Sequence, residues 1–292
     1  SDASQIPTLL LSRVASAHVN VALSGDAGDE LFFGYNRYHF AAKYWKYIQV
    51  LPYALRKKIS YSIDESIPFL NFFRRTPFLP TINLNSLAKL QKISSVFKSK
   101  DIHHYYDLVT DKWSYSDELI LGDFSSNDLF DHSITNLESE VSELMLTDFK
   151  TYLPDDILCK VDRASMSTSL ETRIPFLDHD LVDFVTRLPL HMKFRNNEGK
   201  WLLKKILYKY VPRELIERPK TGFSVPIAIW LRGPLRDWAE SLISEQKVKS
   251  EGYFDYVKIK KKWNEHIKGN RDWSEQIWAI LMFQSWLDNE RN

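Results

Sequence analysis

VALSGDAGDELFFGY, Val21 to Tyr35, decides how this chain is read. The β-branched run VNVAL, residues 19–23, has the composition of a short buried strand. It stops at the small residues Ser24 and Gly25, and Asp26, Asp29 and Glu30 follow within a few positions. In open α/β sheets, ligands lie beyond the carboxyl ends of the strands. A helix that starts there offers free backbone N–H groups to an anion. Gly25 and Gly28 let the backbone approach such a ligand closely. Carboxylates facing phosphates need a cation between them, and Mg²⁺ takes one or two carboxylates plus phosphate oxygens. The same acids also suit an ordinary helix N-terminus, where the macrodipole favours Asp and Glu. A calcium EF-hand loop fails on spacing.

Outward from this stretch the pattern is helical. Ile6, Leu9, Leu10, Val14 and Ala17 recur at helical spacing before the strand. After it, helix-like segments are predicted over roughly 28–50, 52–62, 84–98, 137–150, 155–168, 179–187, 199–210, 235–246, 255–268 and 273–289. Prolines from Pro52 to Pro234 mark first turns and connections between them. The last segment, WSEQIWAILMFQSWL, is apolar nearly all round and is predicted to be interior. Residues 64–136 are the least regular and read as an inserted helical region or long loops. A lone strand leaves backbone groups unpaired. VNVAL is therefore expected to complete a sheet whose other strands lie upstream.

Composition narrows the function. Basic and acidic residues number 39 and 38, which gives no support to a nucleic-acid surface or a polybasic membrane anchor. Cys159 is the only cysteine, so a disulfide framework and a multi-cysteine zinc site are excluded. That usage fits a reducing cytoplasm. No apolar run reaches the ~18 residues of a transmembrane helix, and no signal peptide is visible at the start, SDASQIPTLLLSR.

Two further stretches bear charge in telling places. In YLPDDILCKVDRASMSTSLETRIPFLD, Tyr152 to Asp178, the residues Asp162 and Arg163 fall among apolar and small ones, and Arg173 and Asp178 flank IPFL. These charges read either as site residues or as an internal ion-pair network. In ERPKTGFSVP, Glu217 to Pro226, Lys220 sits on a loop, as a phosphate-binding point charge or as an ordinary surface lysine. His103 and His104 read as an exposed helix start, Cys159 as a small buried hydrophobe, and the tryptophans from Trp263 to Trp286 as core.

Taken together, VALSGDAGDELFFGYNRY, YLPDDILCKVDRASMSTSLETRIPFLDHDLVD, GKWLLKKIL and RPKTGFSVP resemble the synthetase domain of the glutamine-dependent asparagine synthetase family, in the family's order. The resemblance implies a mainly α chain over residues 1–292. It would be the helical C-terminal part of an α/β adenine-nucleotide α-hydrolase-like synthetase domain, a single domain with at most one or two short strands. The family's N-terminal glutaminase domain and its S-G-G-x-D-S pyrophosphate loop are not found in this sequence, so the isolated chain is expected to be inactive. The implied reaction is adenylation of a carboxylate by ATP, followed by ammonia displacing AMP to form an amide. Carried over by position, Ser24 and Gly25 contact the nucleotide and Asp29 holds Mg²⁺. Asp26 and Asp162 form an acidic pair, Lys220 meets the α-phosphate, and Lys200 lies near pyrophosphate. Implied partners are a small carboxylate, ATP and the glutaminase domain, with a homodimer as one expected assembly. Nucleic acid and membrane are not expected partners. Ala27 and Phe33 replace family glycines, and Asp26 stands where asparagine-forming members often have a glutamate; the resemblance then implies a weaker case for aspartate as acceptor, with sugar acids of surface polysaccharides as the other expected class. Ala27 is a mild change if its φ is negative, and the bulk of Phe33 is expected to alter the pocket wall. The alternatives are a non-catalytic helical interaction module and a β-lactam-forming relative.

Overall fold

The computed structural model describes residues 2–73, 90, 93–111, 113, 119–122, 139–217 and 225–291. The chain divides into two compact units. One comprises Leu11–Thr110 and Phe130–Thr221; the other comprises Ser1–Leu10, Asp111–Leu129 and Gly222–Asn292. Helices dominate both.

The larger unit carries the opening stretch. After helix α1 (Gln5–Ser16), which crosses the boundary between units, strand β1 forms over Val21–Leu23. It pairs in parallel with β2 (Glu171–Arg173), with Val21 opposite Glu171 and Leu23 opposite Arg173. This corrects two expectations. The strand is not alone in this chain, since it pairs with β2, where Glu-Thr-Arg gave no apolar signal. Nor is it buried: Val21 is 41% and Leu23 75% exposed, because a two-stranded sheet covers only one face. The described residues hold two further strands, β3 (Phe194–Arg195) and β4 (Glu198–Gly199), in an antiparallel hairpin. Asn196 and Asn197 make its turn with φ of 52° and 62°, left-handed values that suit asparagine.

Helix α2 is only Gly28–Phe32. The predicted single helix over 28–50 breaks because Phe33 turns left-handed and the Gly34 N–H returns to the Asp29 carbonyl at 2.8 Å. Beyond the break, α3 runs from Asn36 to Gln49 through a π-helical turn at Ala41–Trp45. Next come α4 (Tyr53–Phe73), α5 (Ile102–Thr110) and α6 (Glu140–Lys150). Helix α7 follows, with a π-helical start at Leu153–Leu158 and an α-helical body at Cys159–Met166. After β2 comes α8 (His179–Arg187), capped by the Asp178 carboxylate, which accepts from the Asp180 and Leu181 N–H groups. Helix α9 (Trp201–Leu207) follows the hairpin.

Asp148 anchors this unit. Its carboxylate is wholly buried, accepts from Arg37 Nε at 2.8 Å and Tyr106 Oη at 2.6 Å, and is also bonded by Tyr38 Oη. Burial alone would weaken the Arg37 charge, but Asp148 beside it raises the guanidinium pKa. The hydrogen bonds to both carboxylate oxygens offset part of the cost of burying the Asp148 charge.

The smaller unit packs α10 (Ile227–Arg232), α11 (Arg236–Leu242), α12 (Glu245–Glu251), α13 (Tyr256–Ile267) and α14 (Ser274–Arg291) around Trp263, Ile277 and Leu281. The reading of α14 as interior holds for Ile277, Trp278, Ile280 and Leu281, whereas Trp286 is half exposed. Trp273 lies under the Lys262 ammonium, 3.7 Å from the ring centre. No described helix is long and apolar enough to cross a membrane.

Candidate active site

The turn after β1 is held open by its own side chains. The Ser24 N–H donates to the Arg173 carbonyl at 2.8 Å, tying the turn to β2. Ser24 Oγ donates to Asp26 Oδ2 at 2.6 Å. Gly25 is exposed, and a Cβ built on it would meet nothing within 4 Å, so the backbone there is open to a ligand.

Asp29 lies one helical turn further on. Its carboxylate faces the Lys200 ammonium at 3.0 Å, with both side chains about one-third exposed. A half-solvated pair of this kind contributes little to stability, ~0–1 kcal/mol. The backbone around it is costly by comparison. Among the described residues six non-glycine positions have positive φ. Three of them frame this pair: Ala27 at 66°, Phe33 at 65° and Lys200 at 55°. Left-handed geometry costs a residue with a Cβ about 1–2 kcal/mol. Ala27 is thus not the mild change its sequence position suggested, because its φ is positive. Such strain persists only where the surrounding structure holds it.

Contacts keep that geometry. The Lys200 N–H donates to the Phe32 carbonyl at 2.8 Å. Phe33 is fully buried, stacked on Phe194 with ring centres 4.4 Å apart and edge-on to His39. Its side chain therefore builds core rather than pocket wall, which corrects the sequence expectation. Gly34 has no room for a side chain. A Cβ there would lie 1.8 Å from Asp29 Oδ1 and 2.5 Å from Lys200 Cε.

The remaining candidates fall differently. Asp162 and Arg163 are exposed on α7, whose Ser165 neighbours Thr172 of β2 at 3.5 Å. Among the described residues no hydrogen bond or ion pair joins Asp26 to Asp162. The internal ion-pair network is overturned: Arg173 pairs with Glu171 at 2.6 Å on the surface, and Asp178 caps a helix. Lys220 lies outside the described residues. His103 is half-buried and faces Glu143 at 3.3 Å, and Cys159 is half-buried rather than buried. No cluster of three or more metal-binding side chains occurs among the described residues.

The sequence profile of asparagine synthase matches residues 1–288. The chain belongs to the asparagine synthase family. Asparagine synthetase [glutamine-hydrolyzing] 1 of Bacillus subtilis is 31% identical over 291 residues, covering 98% of this chain and 43% of that protein. A putative asparagine synthetase [glutamine-hydrolyzing] of Mycobacterium tuberculosis H37Rv is 29% identical over 288 residues, 98% of this chain and 42% of the relative. Amidase chyE of Penicillium rubens is 24% identical over 263 residues, 85% of this chain and 38% of the relative. The chain thus spans about two-fifths of the length of these proteins. No solved structure matches it.

Glu30, which the sequence analysis named beside Asp26 and Asp29 without a role of its own, has a setting apart from theirs. Glu30 is buried, and its Oε1 accepts from Tyr35 Oη at 2.6 Å. Burial raises its pKa above the ordinary 4.5, and the Tyr35 hydrogen bond opposes that shift. A carboxyl with a raised folded pKa gives its full stabilising contribution below the unfolded value and loses it as pH rises through the folded one. Glu30→Gln keeps an acceptor for Tyr35 and removes the charge. The variant is expected to be more stable than the parent at pH 8, with the gap closing toward pH 4, as read from urea midpoints at pH 4, 6 and 8. A gap that widens toward pH 4 contradicts this assignment.

Proposed function

We propose that this chain forms part of an ATP- and glutamine-dependent amidotransferase. It would adenylate a carboxylate and then form an amide with ammonia, releasing AMP and pyrophosphate. The observation that supports this reading most is the Asp29–Lys200 pair, held at 3.0 Å in strained backbone beside the open Gly25 turn. A Mg²⁺ ion fits here in one respect: it needs one or two carboxylates plus phosphate oxygens, and Asp29 supplies one carboxylate. Bound there, the ion would neutralise phosphate charge. Lys200 lies beside Asp29 as a fixed cation for pyrophosphate, and the Gly25 backbone can approach the nucleotide. Asp26, oriented by Ser24, would act with Asp162 and Lys220 where the carboxylate is activated. Fixed charges aimed at the developing negative charge lower such barriers by a few kcal/mol each. The acceptor is aspartate or a sugar acid, the latter favoured by the short Asp26 side chain.

The test uses the full-length protein with ATP, Mg²⁺, glutamine and a panel of acids, aspartate and uronic acids included. Pyrophosphate release that requires one of the acids, with matching amide formation, is the expected result. Absence of acid-dependent pyrophosphate release across the panel refutes the reading.

A further inference from the structure

Charge is spread unevenly over the helices of the smaller unit. Opposite charges three or four places apart stabilise a helix, and like charges at that spacing destabilise it. Helices α11 and α12 follow the rule, with Arg236 paired to Glu240 and Lys249 to Glu245. Helix α13 does not. Residues 256–268 hold five lysines and a single acid, Glu265. That acid is occupied, since its Oε2 accepts from Trp273 Nε1 at 2.7 Å. Glu240, which senses Lys260, is likewise engaged, paired with Arg236 and bonded by Trp263 Nε1 at 3.1 Å. Lys262 is buried against Trp273, and Lys258 is half-buried. Lys260, Lys261 and Lys268 stand exposed. Val257, 71% exposed, lies one turn before the first two. These four residues, with Tyr256 and Asn264, line a groove of about 450 Å³ along the outer side of α13.

The chemistry of the groove selects its occupant. A lysine carries an aliphatic stem below its ammonium, so the lining combines an apolar wall with three positive charges. A cationic partner would be repelled. A purely apolar one would leave the three charges without a counterpart. A nucleic-acid strand calls for exposed aromatic rings on which its bases stack, and Tyr256, the aromatic residue of the lining, is half-buried. An acidic polypeptide with an apolar side chain answers both features of the groove. We propose that the outer face of α13 docks an acidic segment of a protein partner, its carboxylates against Lys260, Lys261 and Lys268 and one apolar side chain against Val257. Complementary charge steers the encounter and sets its specificity. The inference does not depend on the amidotransferase reading, since it uses none of that site's residues.

Fluorescence polarisation with the full-length protein tests it. The labelled probes are a peptide of glutamates flanking a central phenylalanine, the same peptide with a central glycine, and an oligothymidylate, each at about 50 mM and about 300 mM salt. At low salt the phenylalanine peptide is expected to bind about ten-fold more tightly than the glycine peptide, and to weaken about ten-fold at high salt. The double variant Lys260→Glu, Lys261→Glu is expected to weaken it at least ten-fold. Lys57→Glu, at an exposed lysine on α4, is expected to leave it unchanged. Val257→Asp is expected to remove the preference for phenylalanine over glycine. Circular dichroism confirms the folds, and Lys268→Glu decides the matter if the double variant fails to fold. The proposal is overturned if the phenylalanine peptide does not bind, if it binds no better than the glycine peptide, or if salt leaves its binding unchanged. Undiminished binding by the folded double variant, or by Lys268→Glu in its place, also overturns it. Oligothymidylate binding as tight as that of the phenylalanine peptide overturns it in favour of a nucleic-acid strand.

Discussion

Gly34→Ala and Asp29→Asn, each made in the full-length protein, are expected to lose the same activity to the same degree. In the parent, Gly34 leaves just enough space for the Asp29 carboxylate to stand beside Lys200. A methyl group at position 34 would overlap Asp29 Oδ1, at 1.8 Å, and Lys200 Cε, at 2.5 Å. Both are ends of side chains that can swing away, so the fold survives while the carboxylate leaves its place. Asp29→Asn keeps the place and removes the charge. One route displaces the ligand and the other neutralises it, so acid-dependent pyrophosphate release is expected to fall about 10²–10³-fold in each, the usual loss when one aimed polar group is removed. The double variant is expected to be no worse than either single one, because both act on a single group. Melting temperatures decide how the result is read. They are expected to stay within a few degrees of the parent, since the Asp29–Lys200 pair is half-solvated and contributes little to stability. A folded Gly34→Ala protein with undiminished activity removes Asp29 from the site.

Gly199→Ala is expected to act on the fold instead. A Cβ at 199 would lie 2.1 Å from the Phe33 carbonyl oxygen and 2.7 Å from His39 Nε2. The carbonyl belongs to backbone that stacking on Phe194 and the left-handed turn already fix. It has nowhere to swing, so the hairpin must move away, and with it the bond from the Lys200 N–H to the Phe32 carbonyl at 2.8 Å. Overpacking costs about 1–3 kcal/mol, and the lost hydrogen bond adds about 1 kcal/mol. A stability loss of about 3 kcal/mol in urea titration is the expected outcome, with activity falling as Lys200 shifts. A loss below about 1 kcal/mol shows that the hairpin does not clamp the turn.

The contrast between these glycines shows where the sequence was legible. VNVAL announced a strand and SGDAGDE the turn that ends it because the signal was local and dense. Helix α8 was readable from its periodicity over 179–187, whereas Asp178, its cap, was read as a site or ion-pair charge. β2 was not readable, because Glu-Thr-Arg has no apolar alternation and forms a strand only against β1. The break after α2 was missed because a left-handed phenylalanine defies local preference, and only burial against Phe194 holds it. Lys200 as the direct partner of Asp29 depends on a hairpin brought back from far along the chain, which no short window contains. That hairpin had a usable signal, Asn196-Asn197, since asparagine tolerates the left-handed conformation. Glu30 was eclipsed by its neighbours, as its burial follows from α6 and α8 packing behind it.

The three left-handed residues around Asp29 also shape how the molecule should age under heat. Each sits in a conformation it would abandon if its surroundings loosened, and only tight packing by aromatic neighbours such as Phe194 keeps it there. Damage to the Phe33–Tyr38–Trp45 core would relax those torsions well before the helices melt. In the full-length protein the activity proposed above is expected to be the first casualty of a softened interior, lost at temperatures where the overall architecture still stands.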